Sequence, residues 1–494
     1  MKTQRLCKIL ALALWVWISA PAQAHVGSPT VFFQGLAGSY PVRVTIRPPG
    51  VVPGLAQIQI IVSSGEATKV TVRPVRWDVG VKGSPAPDTA VLVPGETNMY
   101  AAQLWLMESG AFSVFVEVTG RRGEGVAIVP LNSIAVQRLV MTRGMVVMFL
   151  VAGSFVAILL ISVVGAAVRD ARLPPGETPS PVRRRWGWCA RGITAVLIAG
   201  GSYLGNAWWD NVDKDYRLNR LYRPEGIQTK LNTDSGGHRQ LVLSFSQESR
   251  IDSTPLAVDH GHLMHLFLIR EPDGGVFAHL HPTRAQQTDT NESVFTLRLP
   301  ALPAGNYKLY ADITRESGLT QTLTNNLSIP ASAAGAETSG QQADTDDAVL
   351  IGTPEVLSSV SMPIGLHLAP AFSDDLRVNE ETNLVFYLTT ADGAAAPLQP
   401  YLGMYGHLMI ENSDGTVFNH LHPLGSVSMV SQRLFAERER AGFLANKPLD
   451  QFCTAALPQL SFPYAFPKAG VYRLWLQTKV AGQILTGAFT MTVK

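Results

Sequence analysis

A long uncharged run from Gly144 to Val168 constrains the fold of this chain more than any other feature. A helix needs about 20 consecutive apolar residues to cross the hydrocarbon core of a bilayer, which is about 30 Å thick. The run is long enough to do so. The sequence therefore predicts a transmembrane helix over residues 144–168.

A second transmembrane helix is predicted over residues 192–209, a glycine-rich segment that also lacks charge. Tryptophans flank it on both sides: Trp186 and Trp188 precede it, and Trp208 and Trp209 lie at its end. Tryptophan prefers the two interfaces of a bilayer, and the two groups are spaced as one bilayer thickness requires.

The segment that joins the two predicted helices, residues 169–191, is rich in arginine. Short loops with many arginines stay in the cytoplasm. We therefore predict a cytoplasmic loop here, and the chain on both sides of the helix pair then lies outside the cytoplasm.

Residues 1–24 are typical of a secretory signal peptide, with a basic start, a short apolar run and the small-residue cleavage site Ala22-Gln23-Ala24. The chain has only 3 cysteines, and Cys7 is lost with the signal. No disulfide framework is therefore predicted. Export without disulfides favours a protein of the bacterial inner membrane with most of its chain in the periplasm.

The composition argues against a nucleic-acid partner. Charged residues make up 16% of the chain and the formal net charge is +2, without any block of lysine and arginine. Proteins that bind nucleic acid carry a basic patch or stripe, so we expect no nucleic-acid partner, and the predicted transmembrane helices make the inner membrane the expected one.

The predicted fold is mainly β, with three immunoglobulin-like β-sandwich domains plus two transmembrane α-helices. The sandwiches are predicted over residues 25–138, 210–330 and 349–494, because each segment contains short runs rich in valine, isoleucine and aromatic residues between turns. Residues 331–348 are small, polar and acidic, and are predicted to be a flexible linker. The last two domains look like diverged copies of one another.

Each of these two copies contains the motif Val-Phe-x-His-Leu-His-Pro after a predicted hairpin turn. In the second copy, a two-residue type I′ turn at Asp414-Gly415 would place His407 opposite His422, with His420 on the same face of the hairpin. Opposed residues on one face have Cβ atoms about 5 Å apart, so three imidazoles can converge on one ion.

The first copy has one more residue between its histidines. A three-residue loop, Pro272-Asp273-Gly274, with Gly274 in the left-handed conformation, absorbs that residue and leaves His265 opposite His281. His279 then shares their face. The sequence predicts two metal sites, formed by His265, His279 and His281 and by His407, His420 and His422.

Imidazole suits copper and zinc, and nearby methionine favours copper, so we expect copper, with zinc as the alternative. Further candidate ligands lie beside the two triads: His260, His262, Met264 and Met409. After signal cleavage His25 becomes the N-terminus and offers its amine and ring to copper, as in a histidine brace. Residues 26–142 contain no second histidine, so another domain would have to complete that brace.

The stretches GHLMH…DGGVFAHLHP and GHLMIENSDGTVFNHLHP resemble a motif of bacterial exported proteins, and the surrounding sandwiches are similar to FixH/YtkA-like domains. That resemblance implies a periplasmic role linked to heavy metals and no particular reaction.

Three functions are compatible with the sequence. The leading hypothesis is a membrane-anchored periplasmic metal-binding protein that buffers or delivers copper. The alternative is an envelope scaffold with immunoglobulin-like domains and no metal. A cupin-like metalloenzyme ranks last, because no glutamate follows either His-x-His pair at cupin spacing, and we do not expect an enzyme.

Overall fold

The computed structural model describes residues 30–63, 67–174, 176–233, 238–247, 251–285, 292–331, 344–445 and 459–494. The predicted signal peptide, His25 and most of the predicted linker 331–348 lie outside these residues. The chain forms two compact units, of which one combines the chain up to Ile134 with Arg223–Lys494 and the other is Ala135–Tyr222. The fold is mainly β, as predicted, with most strands in antiparallel sheets.

The first sandwich packs a sheet of order β1-β2-β3-β7-β6 against a sheet of order β5-β4-β8-β9. Its alternating valines and isoleucines, such as Val42, Val44 and Ile46 on one strand, fill the core between the sheets. The strands are β1 Val31–Ala37, β2 Tyr40–Arg47, β3 Gly54–Val62, β4 Ala67–Arg76, β5 Asp88–Thr89, β6 Val91–Leu92, β7 Met99–Leu106, β8 Gly110–Gly120 and β9 Gly123–Ser133.

The second sandwich packs the sheet β10-β11-β15-β14 against the sheet β17-β16-β12-β13-β18. The second of these sheets carries the first pair of histidine-bearing strands, β12 and β13. The strands are β10 Gln228–Thr233, β11 Arg239–Ser246, β12 His265–Arg270, β13 Val276–Leu280, β14 Thr283–Arg284, β15 Glu292–Arg298, β16 Gly305–Thr314, β17 Thr320–Ile329 and β18 Ala348–Ile351.

The third sandwich packs the sheet β20-β21-β22-β26 against the sheet β19-β28-β27-β24-β25, with β23 also paired to β27. The core order β28-β27-β24-β25 repeats the order β17-β16-β12-β13 of the second sandwich. The strands are β19 Glu355–Val356, β20 Val360–Met362, β21 Leu366–Pro370, β22 Glu381–Thr390, β23 Leu398–Gln399, β24 His407–Asn412, β25 Phe418–Leu421, β26 Gln459–Ala465, β27 Gly470–Val480 and β28 Gln483–Val493.

The start of the predicted third domain belongs to the second sandwich. Strand β18 pairs with β13, with Ala348 opposite His279, so the residues just before it, Asp344 to Asp347, are held at the edge of that sheet. This corrects the sequence prediction, which assigned residues up to 348 to a flexible linker. An acidic, small-residue composition indicated solvent exposure, whereas Asp347 is buried.

The sheets that carry the histidines, which we call the two histidine sheets, pack face to face. Leu266 and Leu268 on β12 point into the core of their own sandwich, whereas Phe267 and Ile269 point into the contact between the sheets. Both faces of β12 are therefore buried, which explains its continuous apolar sequence.

Aromatic stacking between the histidine sheets follows a local two-fold relation. Phe277 stacks on Trp475 with ring centroids 5.0 Å apart, and Phe418 stacks on Tyr310 at 4.1 Å. Phe277 and Phe418 hold equivalent positions, two residues before His279 and His420, and the two partners lie on the equivalent strands β16 and β27. The repeated domains thus form an internal pseudo-dimer.

The third sandwich also contacts the first. Between β25 and β26 it carries helix α3, Met429–Glu439. Gln432 of this helix donates a 2.8 Å hydrogen bond from Nε2 to the Ile128 carbonyl, and Phe435 packs on Phe115 and Ile128. Gly425 lies against strand β1 so closely that a Cβ atom there would lie 2.0 Å from the Phe32 carbonyl oxygen, so only glycine fits at this position.

The unit Ala135–Tyr222 contains two long helices, α1 Arg143–Asp170 and α2 Pro181–Asp215. Serine and threonine begin both: Thr142 accepts a hydrogen bond from the N–H of Met145, and Ser180 from that of Arg183. Of the helices in the described ranges, α1 alone is long and apolar enough to cross a membrane.

The structure changes two of the sequence predictions for this unit. Helix α2 contains the predicted second span, residues 192–209, but glycines and Asn206 dilute its apolar character, so two transmembrane helices are not confirmed. The predicted loop 169–191 is largely helical, because Ser180 and Pro181 are favourable starting residues and α2 begins there.

Candidate metal centre

Eight of the chain's 11 histidines converge at one end of the contact between the histidine sheets. They come from both sandwiches, and rings of different sandwiches lie as close as 5.4 Å between centroids. They are His260, His262, His265, His279 and His281 of the second sandwich and His407, His420 and His422 of the third.

The predicted hairpin registers are confirmed. Phe267 pairs with His279 and Met409 pairs with His420, which places His265 opposite His281 and His407 opposite His422. Gly274 has the predicted positive φ, 64°.

The predicted type I′ turn of the second hairpin is wrong, although its register holds. Of its two turn residues only Gly415 has a positive φ, 70°, and its N–H bonds to the Asn412 carbonyl at 2.7 Å. The Asn412 and Asp414 side chains each accept the backbone N–H two residues further on, which favours ordinary negative φ at those positions.

The first triad, His265, His279 and His281, brings one ring nitrogen of each residue within 4.8 Å of the others. The closest pair is His265 Nδ1 and His279 Nε2, at 3.2 Å. Three imidazoles on one tetrahedral or trigonal ion, with metal–nitrogen bonds of about 2.0–2.1 Å, have nitrogens about 3.3–3.6 Å apart. The triad is therefore close to the spacing that such an ion requires.

The second triad, His407, His420 and His422, has the same geometry. Its ring nitrogens also lie within 4.8 Å of one another, and His407 Nδ1 is 3.0 Å from His420 Nε2. The same ring atoms face inward in both triads, as the shared strand order of the two sheets would lead us to expect.

In the first triad, an oxygen atom lies beside each outward-facing ring nitrogen. His265 Nε2 is 3.3 Å from the Asp259 carbonyl, His279 Nδ1 is 2.8 Å from Gln477 Oε1, and His281 Nδ1 is 3.0 Å from Asp347 Oδ1. Gln477 Nε2 donates to Thr486, which fixes the amide with its oxygen toward His279.

The second triad repeats this arrangement. His407 Nε2 is 2.9 Å from the Tyr401 carbonyl and His422 Nδ1 is 3.4 Å from the Val427 carbonyl. His420 Nδ1 is 3.5 Å from Asp312 Oδ2.

These partners leave lone pairs facing one another inside each triad. A neutral imidazole carries one proton, and the tautomer that directs this proton to the outer oxygen leaves the inward nitrogen with a free lone pair. The inward nitrogens then have no proton to share, and the Nε2 atoms of His281 and His422 are buried without a hydrogen-bond partner in the described structure. A cation at each centre would satisfy all three lone pairs, and oxygen acceptors on the outer nitrogens are the usual support of metal-bound histidine.

The outer support crosses between the sandwiches. Gln477 on β27 holds His279 of the second sandwich, and Asp312 on β16 faces His420 of the third. Gln477 and Asp312 occupy equivalent positions, since Gln477 pairs with His407 and Asp312 with His265. Each sandwich therefore supplies three histidines to its own triad and places a polar side chain beside a histidine of its neighbour's.

Burial lowers the pKa of five of the triad histidines and so favours their neutral form. It is the largest cause that lowers the pKa of His265, His279, His407 and His420 well below the ordinary value, with repulsion from neighbouring imidazoles second. The pKa of His422 falls to about 4 for the same first reason. Neutral imidazole is the form that binds metals.

Two more histidines lie on the turn before β12. His262 stacks on His281 with centroids 3.9 Å apart. His262, His281 and Asp344 form a third group whose ligand atoms lie within 4.8 Å of one another. His260, on the same turn, lies beside the second triad instead, 5.4 Å from His422 between ring centroids.

The remaining predicted ligands are placed differently. Met264 packs in the apolar core of the second sandwich, because it points to the opposite face from its neighbour His265, and it is therefore not a ligand. Met409 lies among aromatic rings between the histidine sheets. His25 lies outside the described residues.

Sequence reasoning missed the residues that support the triads: Asp259, Asp312, Asp347, Tyr401 and Gln477. Asp312 and Gln477 did carry a signal. Each follows the repeated glycine-x-tyrosine turn by the same number of residues, so aligning the two copies would have paired them. Asp347 carried none, because nothing in an acidic segment indicates which carboxylate folds back onto a sheet.

A family model described as "Domain of unknown function (DUF8832)" matches residues 225–329 and 367–494 of this chain, the regions of the second and third sandwiches. No curated protein matches the sequence. Similar solved structures include dimeric latent PorU from Porphyromonas gingivalis, with 8% identity over 94% of this chain and a TM-score of 0.17. This chain covers 34% of that protein.

Two further structures are similar at the same low level. The ICAM-5 D1–D4 ectodomain fragment has 10% identity, covering 92% of this chain and 83% of its own, with a TM-score of 0.16. A tetra-tandem repeat of a large adhesion protein has 7% identity, covering 93% and 82%, also with a TM-score of 0.16. At these scores none of the three carries an argument about function, so the site must be interpreted from its own chemistry.

Proposed function

We propose that this chain is a periplasmic copper-binding protein, anchored in the bacterial inner membrane by α1 and α2, whose histidine triads buffer copper or deliver it to a transporter or a cuproprotein. Its three sandwiches are of the immunoglobulin-like kind, and the second and third are relatives of FixH/YtkA-like domains. One observation carries the proposal: each triad brings three ring nitrogens within 4.8 Å of one another, and oxygen atoms lie beside the outward-facing nitrogens.

Copper is the first choice and zinc the alternative. Both metals bind imidazole, and a given nitrogen site holds Cu²⁺ more tightly than Zn²⁺.

The test is a count of bound ions on the purified full-length protein in detergent at neutral pH. We expect two copper ions per chain by elemental analysis and native mass spectrometry. H279Q/H281Q and H420Q/H422Q should each retain one ion, and the combined variant none. His367→Gln, at an exposed histidine on β21, is the matched control and should retain both. If the full-length protein binds neither copper nor zinc, the metal-binding function is wrong and the scaffold function replaces it.

A second prediction concerns the cross-domain support by Gln477. In the H420Q/H422Q background, which retains only the first site, Gln477→Leu should weaken copper binding about 10–100-fold, because it removes the nearer of the two oxygen atoms beside His279 Nδ1. Chelator competition measures the dissociation constant. Gln477→Glu keeps an acceptor oxygen and should retain more of the affinity. Equal affinities for the leucine variant and its parent would show that this contact does not support the site.

A further inference from the structure

His260 belongs to the second sandwich, but its ring lies against the triad of the third. Its centroid is 5.4 Å from that of His422 and 5.7 Å from that of His407. Separations within the second triad itself are 4.8 to 5.3 Å. The fourth imidazole is therefore nearly as close to two of the triad's rings as those rings are to one another, and it lies slightly farther, at 6.0 Å, from His265 of the first triad.

The polar end of His260 has no partner. Its side chain is 5% exposed, and Nε2 makes no hydrogen bond in the part of the chain that the structure describes. Asp259 Oδ1 lies 3.5 Å away, in a geometry that forms no hydrogen bond, and the other carboxylate oxygen accepts from Ser428. A buried ring nitrogen without a partner is costly unless something else binds there.

The backbone that places His260 is also unusual. His260 has φ of 51°, a left-handed conformation that side chains with a Cβ rarely adopt, in a tight turn closed by Asp259 and His262. The third sandwich has the same turn, closed by Tyr401 and Met404, with Leu402 at φ of 49°. Apart from their residue types the two turns are equivalent, so the histidine at position 260 is not required to form the turn.

The turn is held close to its counterpart. A Cβ atom on Gly403 would lie 3.3 Å from His260 Nδ1, so the glycine next to Leu402 leaves room for the incoming ring. The third sandwich places no equivalent histidine beside the first triad, because Leu402 holds the position in its turn that corresponds to His260. The additional polar groups beside the first triad, His262 and Asp344, belong to the second sandwich itself.

We propose that His260 is the fourth ligand of the second site, supplied by the opposite sandwich. Its Nε2 would join the ring nitrogens of His407, His420 and His422 as a ligand of one ion. The ion then has four imidazole ligands and joins the second sandwich to the third by coordinate bonds. The first site lacks a counterpart, so the two sites differ in coordination although their triads match. This inference rests on the proposed metal binding.

The test uses the full-length H279Q/H281Q protein loaded with copper, in which the second site remains. His260→Leu introduces the residue that the equivalent turn already carries. It should weaken copper binding at least about 10-fold, because losing a ligand costs no less than losing an outer partner. X-ray absorption should count four imidazoles around copper in the parent and three in the variant. Val258→Ala, at an exposed position two residues before His260, is the matched control and should change neither value.

Unchanged affinity and an unchanged imidazole count in His260→Leu would overturn the inference and leave the proposed function intact. The same loss in Val258→Ala as in His260→Leu would also overturn it, because the effect would then come from the local backbone and not from the ligand. An H279Q/H281Q parent that binds no copper, together with a wild-type protein that binds none, would overturn both proposals.

Discussion

Trp475→Ala should lower the free energy of unfolding by about 3–5 kcal/mol, the usual cost of removing a fully buried tryptophan. Trp475 is fully buried between the histidine sheets and stacks on Phe277. The substitution leaves a cavity at the centre of the contact, where the rigid sheets on both sides limit collapse. The measurement is the shift of the denaturant midpoint of the full-length protein in detergent.

Two further variants sharpen this prediction. Trp105→Ala makes the same chemical change at a residue that is 61% exposed and should alter stability by no more than about 0.5 kcal/mol. Trp475→Phe should cost much less than the alanine variant, because it keeps the stack and removes an indole N–H that has no partner among the described residues. Equal effects of the two alanine variants would show that the sheets do not depend on this contact.

Removing the metal should destabilise the second and third sandwiches together. A ligand that binds only the folded state stabilises it by about 4 kcal/mol per site when its free concentration is 1,000 times the dissociation constant. Both triads draw their support from both sandwiches, so chelation should lower one shared unfolding transition. Scanning calorimetry of the loaded and chelated full-length protein measures the shift.

The matched control is the combined variant H279Q/H281Q/H420Q/H422Q, whose transition should not respond to chelator. The first sandwich contains no triad residue, so hydrogen exchange of its strands should change little. A wild-type midpoint that is the same with and without chelator, at saturating copper, would contradict metal-linked stability.

The hairpin registers could be predicted from sequence because side chains alternate along a strand. Once a turn is chosen, the partner of every histidine follows, and a one-residue error would move each ring to the other face. The second turn was predicted wrongly in type, yet Asn412 still pairs across to Val417, so the register survived. The local part of the site was therefore accessible from sequence.

The contact between the two sandwiches was not accessible in this way. Phe277 and Trp475 lie far apart in the chain, and an apolar residue on a strand gives no indication of which other sheet it faces. The same holds for Gln477, whose role depends on a histidine of another domain. Helix α2 shows a different limit of sequence-based prediction. Tryptophans at both ends of a segment indicate two membrane interfaces, but they do not show that the residues between them are apolar enough to cross a membrane.

The docking of helix α3 on the first sandwich has a consequence for the number of times the chain crosses a bilayer. Through Gln432 and Phe435, helix α3 contacts Ile128 and Phe115, which precede α1 in the chain. Ile134 and Arg223 thus belong to one folded body, and a folded body cannot lie on two sides of a membrane. If α1 crosses a bilayer, as proposed, the chain must therefore cross back before Arg223. In this way α3 constrains the number of membrane crossings to an even number, although it lies far from the apolar segments in the sequence.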